Sequence, residues 1–362
     1  TKYAIMKNQG NKKYNESFMN TVFMAIVIGI IFFLTGIIFS GNIATLLGAN
    51  KQVYHMTSIY LKVLLMFGPA FVLNNVMNAF VRNDGNPKLS MIAMLVGSFG
   101  NIILDYLLVI KFSMGMFGAV LATGFSPIMG LMVLSGHIVS ENSNIKFKVA
   151  KIRASFIKSI IMLGIPSFVT EMSSGIVIFV FNIIILGLQG NVGVAAYGVI
   201  ANLALVVISI YTGVAQGSQP LFSAAYGKND KKMQKQLFKY AITAVTLISI
   251  VIYAVILLFA NPITSIFNGE GNMKLQAMAV KGMYLYFTSI LFIGMNIVMA
   301  TYFAAREKVI PSYIISFGRG FVVIIPMAFI MSFIWKMTGV WLAMTVTEGI
   351  IAAVGVALIK KA

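Results

Sequence analysis

Four ionisable side chains stand inside long apolar runs: Asp105, Glu171, Arg319 and Glu348. A charge at that depth costs about 2.5 to 3.5 kcal/mol by insertion scales, so each needs a partner, a wet cavity or a task. Glu171 lies a little past Pro166, and helical spacing sets Ser174, Gly175, Ile178 and Asn182 on its face. That stripe is expected to face the interior of a helix bundle. There the carboxylate could hold a proton, or ligate Na⁺ with hydroxyl and amide oxygens such as those of Ser174 and Asn182. The competing reading is a glutamic acid bonded to a neighbouring helix for packing alone. Pro166 has no amide to donate, so it should loosen the preceding turn and free a carbonyl nearby.

Arg319 and Glu348 form a second constellation. Arg319 lies about nine residues inside one span and Glu348 about ten from the opposite end of the next, so at ~1.5 Å per residue both are about 14 to 15 Å deep. Opposite charges at equal depth on adjacent antiparallel helices predict an ion pair, with Ser312 and Ser316 on the arginine's stripe and Trp341 and Thr345 on the glutamate's. Pairing alone makes buried charge tolerable. The functional alternative is a switch, in which Glu348 exchanges Arg319 for an incoming cation. Asn101 and Asp105 are expected to cap the exit of their span, since short polar side chains bond local backbone readily. QGSQP, with Gln216, Gln219 and Pro220, reads equally as a helix exit and as a gate hinge.

The elements that must position these residues are membrane spans. The 362 residues are 59% hydrophobic and 10% charged, where a soluble domain carries about 25% charged residues. Mean hydropathy is +0.92. Apolar blocks of bilayer-spanning length predict ten helices, near 17–38, 57–80, 88–110, 117–138, 159–187, 194–216, 239–260, 278–302, 310–333 and 338–359. The fold class is therefore an all-α polytopic membrane protein. Absence of cysteine excludes disulfides, thiolate chemistry and iron–sulfur clusters. His55 and His137, the two imidazoles, are far apart in sequence and make a histidine metal site improbable. No His-Glu-x-x-His, Ser/His arrangement or P-loop lysine is present, so the reading is of neither an enzyme nor an ATP-driven pump. No catalytic residue and no cofactor is assigned.

The net charge of +18 reports topology. Twenty of the 27 Lys and Arg lie on one side, within 2–13, 82–88, 146–158, 228–239, 306–308 and 360–361; five lie on the other (Lys51, Lys111, Lys274, Lys281 and Lys336), and Lys62 and Arg319 fall within spans. The positive-inside rule makes the rich side cytoplasmic, with both ends of this chain inside a cell membrane. Charge spent in this way gives no reason to expect a nucleic-acid partner.

An internal repeat is visible. FGAVLAT (117–123) matches TGVWLAM (338–344), Arg82 and Pro87 match Arg306 and Pro311, and GNKKYNESF (10–18) matches KNDKKMQKQLF (228–238). All three imply a shift of roughly 220 residues in one orientation, a parallel tandem repeat. The second half opens with two spans whose partners would precede Thr1, so roughly 65 to 90 residues carrying two further helices are expected there. A true ten-span protein is the alternative. The domains read as 1–138, the last four helices of a first six-helix bundle; 139–158, a basic cytoplasmic linker; and 159–362, a second six-helix bundle.

Two halves of six, with FVRNDGNPKLSM (80–91), NIILD (101–105), GMFGAVLAT (115–123), LGIPSF (163–168) and GVAQGSQPLFSAAYGKND (213–230), resemble the multidrug and toxic-compound extrusion (MATE) family, in its short-looped bacterial DinF- or MepA-like branch. The resemblance covers nearly the whole chain in family order. It implies two six-helix bundles around a central cavity and a monomeric antiporter, exporting cationic or amphipathic small molecules as Na⁺ or H⁺ enters. It also implies a coupling carboxylate on the helix of Glu171. The sequence departs from the family in the span 278–302, which offers Asn296 where some members carry a carboxylate. A lipid-linked-oligosaccharide flippase of the same superfamily is the alternative; it should line its cavity with several cations, and Glu171 and Glu348 offset Arg319 and Lys62. A nonfunctional truncated fragment is a third reading. Met and Phe are spread too evenly to assign substrate contacts.

Overall fold

Every regular element within residues 1–141, 143–147 and 151–361, the residues that the computed structural model describes, is helical. The apolar runs dictate this: hydrocarbon offers no partner to backbone N–H and C=O groups, so the chain must satisfy them within each segment. A short helix α1 (Lys2–Asn8) leads into α2 (Tyr14–Leu46), whose 33 residues reach about 50 Å. The next span is bent: α3 (Tyr54–Met66) and α4 (Gly68–Asn83) meet at 44°, with Pro69 at the start of α4. Helix α5 (Pro87–Asp105) starts where Asn86 accepts the amide of Leu89 at 3.1 Å and Pro87 supplies a ready φ. It runs on through a π-helical turn, Tyr106–Lys111, before α6 (Gly115–Val139).

The longest element, α7 (Ala154–Gly227), is two spans joined at Gly190, whose φ of 61° breaks the helical path. Asp230 caps α8 (Lys231–Phe267) and Asn272 caps α9 (Met273–Tyr286) through their side-chain oxygens. A 3₁₀ turn, Phe287–Ser289, links α9 to α10 (Ile290–Ala305). Helix α11 (Val309–Phe317) continues through a π-helical turn, Gly318–Val322, into α12 (Ile324–Lys361), itself interrupted at Lys336 (φ 50°). Among the described residues seven continuous helices are long and apolar enough to cross a membrane. The bent pair and the two interruptions bring the spans to ten, the number expected.

Two local expectations need correction. Helix α7 passes through Gln216, Gln219 and Pro220 without a break and ends seven residues later, at Gly227; a proline deprives one carbonyl of its partner without ending a helix packed along its length. Asp105 makes no side-chain capping bond, because the helix does not exit there but widens into the π turn. The Asn101 amide nitrogen is likewise buried without a partner.

The chain divides into two units, Lys2–Ile160 and Ile161–Ala362, with Thr1 grouped with the second. Of the expected linker 139–158, residues 142 and 148–150 lie outside those described. In the first unit Tyr3, Phe18, Met77, Val81 and Leu134 form an apolar cluster at the lysine-rich end. Beside it Asp84, just beyond α4, is buried yet fully bonded. It accepts from the Tyr3 hydroxyl at 2.7 Å, Lys7 Nζ at 2.6 Å, His137 Nε2 at 2.8 Å and the amide of Asn144 at 2.9 Å. One carboxylate thereby ties α1, α4, α6 and the segment after α6 together.

Candidate functional site

The second unit packs around a large apolar core that includes Phe181, Tyr197, Tyr211, Phe287 and Trp341. Its α7 turns one face inward at every fourth residue: Val169, Ser173, Val177, Phe181 and Ile185 are all buried. That stripe, mostly large and apolar, sets the rotation of the helix. Glu171 stands about 200° from Ser173 at 100° per residue and is exposed, as is Gly175. The expected inward stripe through Glu171 is therefore corrected: Ser174 and Ile178 border the interior, together with Thr170 and Ser173, and Glu171 lies on the surface of its unit. Asn182 is half-buried.

Those α7 residues form one wall of a cleft enclosing about 600 Å³, open solvent included, with Tyr197, Ala201, Ile208, Tyr286, Arg319, Met344 and Glu348 on its other sides. The Glu348 carboxylate is fully buried. Arg319 donates to Oε1 through Nη2 at 2.9 Å and Nε at 3.1 Å. Asn296 Nδ2 donates to Oε2 at 2.6 Å and to the main-chain oxygen of Glu348 at 2.9 Å. Arg319 is 9% exposed, Asn296 and Glu348 0%. Three helices thus converge on one ion pair, and both carboxylate oxygens are engaged.

Local sequence explains how they meet. Arg319 rides on the π-helical turn between Gly318 and Gly320. A Cβ at Gly320 would come within 2.8 Å of the Ser173 side chain, so only glycine lets α7 approach this turn. A π turn with its loosened backbone bonding recurs at functional positions. Ser173 and Ser174 both donate to the Thr170 carbonyl, at 2.9 and 3.2 Å, which gathers hydroxyl oxygens on the wall lined by α7. One turn before Glu348, Thr345 and Thr288 share a 2.7 Å hydroxyl contact beside the carbonyl of Leu285.

The pairing of Arg319 with Glu348 was legible as equal depth on neighbouring spans. Asn296, Tyr286, Ser173 and Thr170 were not assigned to the site from sequence. Asn296 carried the strongest signal, an amide with no polar neighbour within its apolar run; Ser173 could have been found from the i+4 series Val169, Val177, Phe181, Ile185. Pro166 frees the carbonyl of Met162, as expected, and the Tyr313 hydroxyl takes it at 2.7 Å. Among the described residues no group of three or more His, Asp or Glu could hold a metal ion.

The MatE family model matches residues 8–107 and 166–330. Over 348 residues the chain is 28% identical to the multidrug export protein MepA of Staphylococcus aureus (strain bovine RF122 / ET3-1), covering 96% of this chain and 76% of that protein. It is 27% identical to the MepA of Staphylococcus saprophyticus over the same shares. Among solved structures it is similar to a multidrug resistance MATE family transporter of the MOP superfamily in an outward-facing conformation, with TM-score 0.92, 21% identity and coverage of 100% of this chain and 83% of that one. It is also similar to a MOP superfamily transporter from Pyrococcus furiosus, with TM-score 0.91, 22% identity and coverage of 98% and 80%. These structures share the fold.

Proposed function

The chain belongs to the MatE family, a family of membrane transporters and not of enzymes, and from that premise we propose that it is a secondary active antiporter exporting cationic or amphipathic small molecules in exchange for Na⁺ or H⁺. The observation that carries this reading is the Arg319–Glu348 pair on the wall of a cleft lined otherwise by apolar and hydroxyl side chains, with Asn296 bonded to the same carboxylate. A carboxylate buried there is stable only while its charge is matched. A cation or proton arriving at Glu348 supplies that match itself and releases Arg319, which then favours a different packing of its π turn. Exchange of partners at one carboxylate is how ion binding would bias two conformations of the protein, since a ligand shifts an equilibrium only by its differential affinity for the two states.

Glu171 is a second coupling carboxylate in this reading, acting at the surface of its unit, with Ser174 and Asn182 on the neighbouring faces of α7. MepA is named for multidrug export, which supports a drug-like, cationic or amphipathic cargo here. The lysine asymmetry supports a cytoplasmic lysine-rich side, with both ends of this chain inside. Residues 1–138 and 159–362 serve as the two moving halves of a monomer, joined by 139–158, with Gln216, Gln219 and Pro220 at the gate. The repeat supports a working form of twelve spans. The test is dye transport in vesicles reconstituted with the complete coding sequence. A fluorescent organic cation should be expelled when an inward Na⁺ or proton gradient is imposed, and Glu348→Gln should abolish that expulsion. Export indifferent to both gradients would overturn the reading.

A further inference from the structure

Five lysines precede the apolar part of α8: Lys228 in the turn before it, then Lys231, Lys232, Lys235 and Lys239. All five are exposed. At 37 residues, α8 is about 55 Å long against a hydrocarbon core of about 30 Å, so its first turns lie beyond that core. Lys232, Lys235 and Lys239 share one stripe of the helix. Ile250 and Leu257 continue the same stripe and are 54% and 48% exposed, an apolar surface at hydrocarbon depth. Tyr240, also exposed, stands at the changeover from charge to hydrocarbon, where aromatic side chains mark headgroup level. Among the described residues none of the five lysines is paired with a carboxylate. The nearest acid in sequence, Asp230, is engaged in capping the helix at the amide of Met233.

The internal repeat sharpens the contrast. Residues 10–18 and the first turns of α2 correspond to this stretch, and at a shift of 220 Asn15 stands in place of Lys235, Glu16 in place of Gln236 and Asn20 in place of Tyr240. That face of α2 is covered by protein. Glu16 pairs with Arg153 at 3.0 Å, Asn20 bonds the backbone of Lys151 and Arg153, and Asn15 bonds the backbone of Lys146 twice. In the second half exposed positive charge takes the place of those covering bonds. We propose that the Lys228–Lys239 stripe is a binding site for the headgroup of an anionic phospholipid. Juxtamembrane clusters of this size attract anionic headgroups.

The test uses the full-length protein reconstituted in phosphatidylcholine vesicles that contain a trace of either spin-labelled phosphatidylglycerol or spin-labelled phosphatidylcholine. The motionally restricted fraction reports lipid held at the protein surface. Phosphatidylglycerol should be selected over phosphatidylcholine, and the selection should weaken as salt is raised. Lys228→Gln, Lys232→Gln, Lys235→Gln and Lys239→Gln combined should lower it by on the order of tenfold or more, while the four Lys→Arg replacements keep it. Equal restriction of the two lipids by the unaltered protein overturns the proposal, a result that needs no variant to fold. So does undiminished selection by a folded glutamine variant, which would put the lipid elsewhere.

Discussion

The Tyr313 hydroxyl donates at 2.7 Å to the carbonyl of Met162, the one that Pro166 leaves without an amide partner in α7. A proline inside a helix removes the bond to the carbonyl four residues earlier, and here a side chain from α11 replaces it. Tyr313→Phe should therefore cost about 1 kcal/mol, the net worth of one hydrogen bond. Pro166→Ala restores an amide at that place and should make the tyrosine hydroxyl dispensable. A double-mutant cycle on thermal unfolding in detergent measures the coupling. Additive effects of the two substitutions would show that the hydroxyl does not stand in for the missing amide.

The Arg319–Glu348 pair separates stability from transport. Removing one partner leaves the other charge buried and unmatched, so Arg319→Met or Glu348→Met alone should destabilise by about 3 to 5 kcal/mol. Removing both together should recover most of that loss, because an apolar pair needs no compensation. Transport should stay absent in the recovered double variant. Gradient-driven export by that variant would leave the pair a purely structural role.

Asp84 makes the first unit sensitive to acid. Burial alone raises its pKa, but the bonds from Lys7, His137, Tyr3 and the Asn144 amide outweigh it and hold the carboxyl below the ordinary range. Its folded pKa is thus lower than its unfolded one. The stabilisation is fully present above the ordinary carboxylate value near ~3.9 and is lost as pH falls through the depressed one. Thermal unfolding followed from pH 7 downward should show a drop below about pH 4 that Asp84→Asn lacks; that variant should already be less stable at neutral pH. Parallel pH profiles for the two proteins would remove Asp84 as the cause.

Much of this architecture is legible in the sequence because the bilayer fixes it. Twenty-residue apolar blocks must be helical, and the lysine count orders them, so ten spans and the meeting of Arg319 with Glu348 follow from length and depth alone. What depth does not fix is rotation. Glu171 and Ser173 are two residues apart on one helix, yet the buried series Val169, Val177, Phe181 and Ile185 turns Ser173 inward and Glu171 outward. A stripe built from polar residues alone misplaced that face, since the larger apolar side chains decide which way a helix packs. The buried role of Asn296 was hidden for a related reason: one amide in an apolar run has a depth but no visible partner until the neighbouring helix is known.

That rotation makes Glu171 and Glu348 separable by experiment. Glu348 has both carboxylate oxygens bonded in a buried site, whereas Glu171 is exposed on its unit. Replacing an exposed carboxylate by its isosteric amide should change stability by no more than about 0.5 kcal/mol. Glu171→Gln is accordingly expected to fold and insert like the unaltered protein, while ion-driven dye export in the complete protein falls to background. Because its stability is untouched, the loss of export would report on ion coupling and not on folding. Glu348→Gln should lose both, having left Arg319 without its counter-charge. Full export by Glu171→Gln would sink its coupling role and leave the buried pair as the sole coupling carboxylate site proposed in this chain.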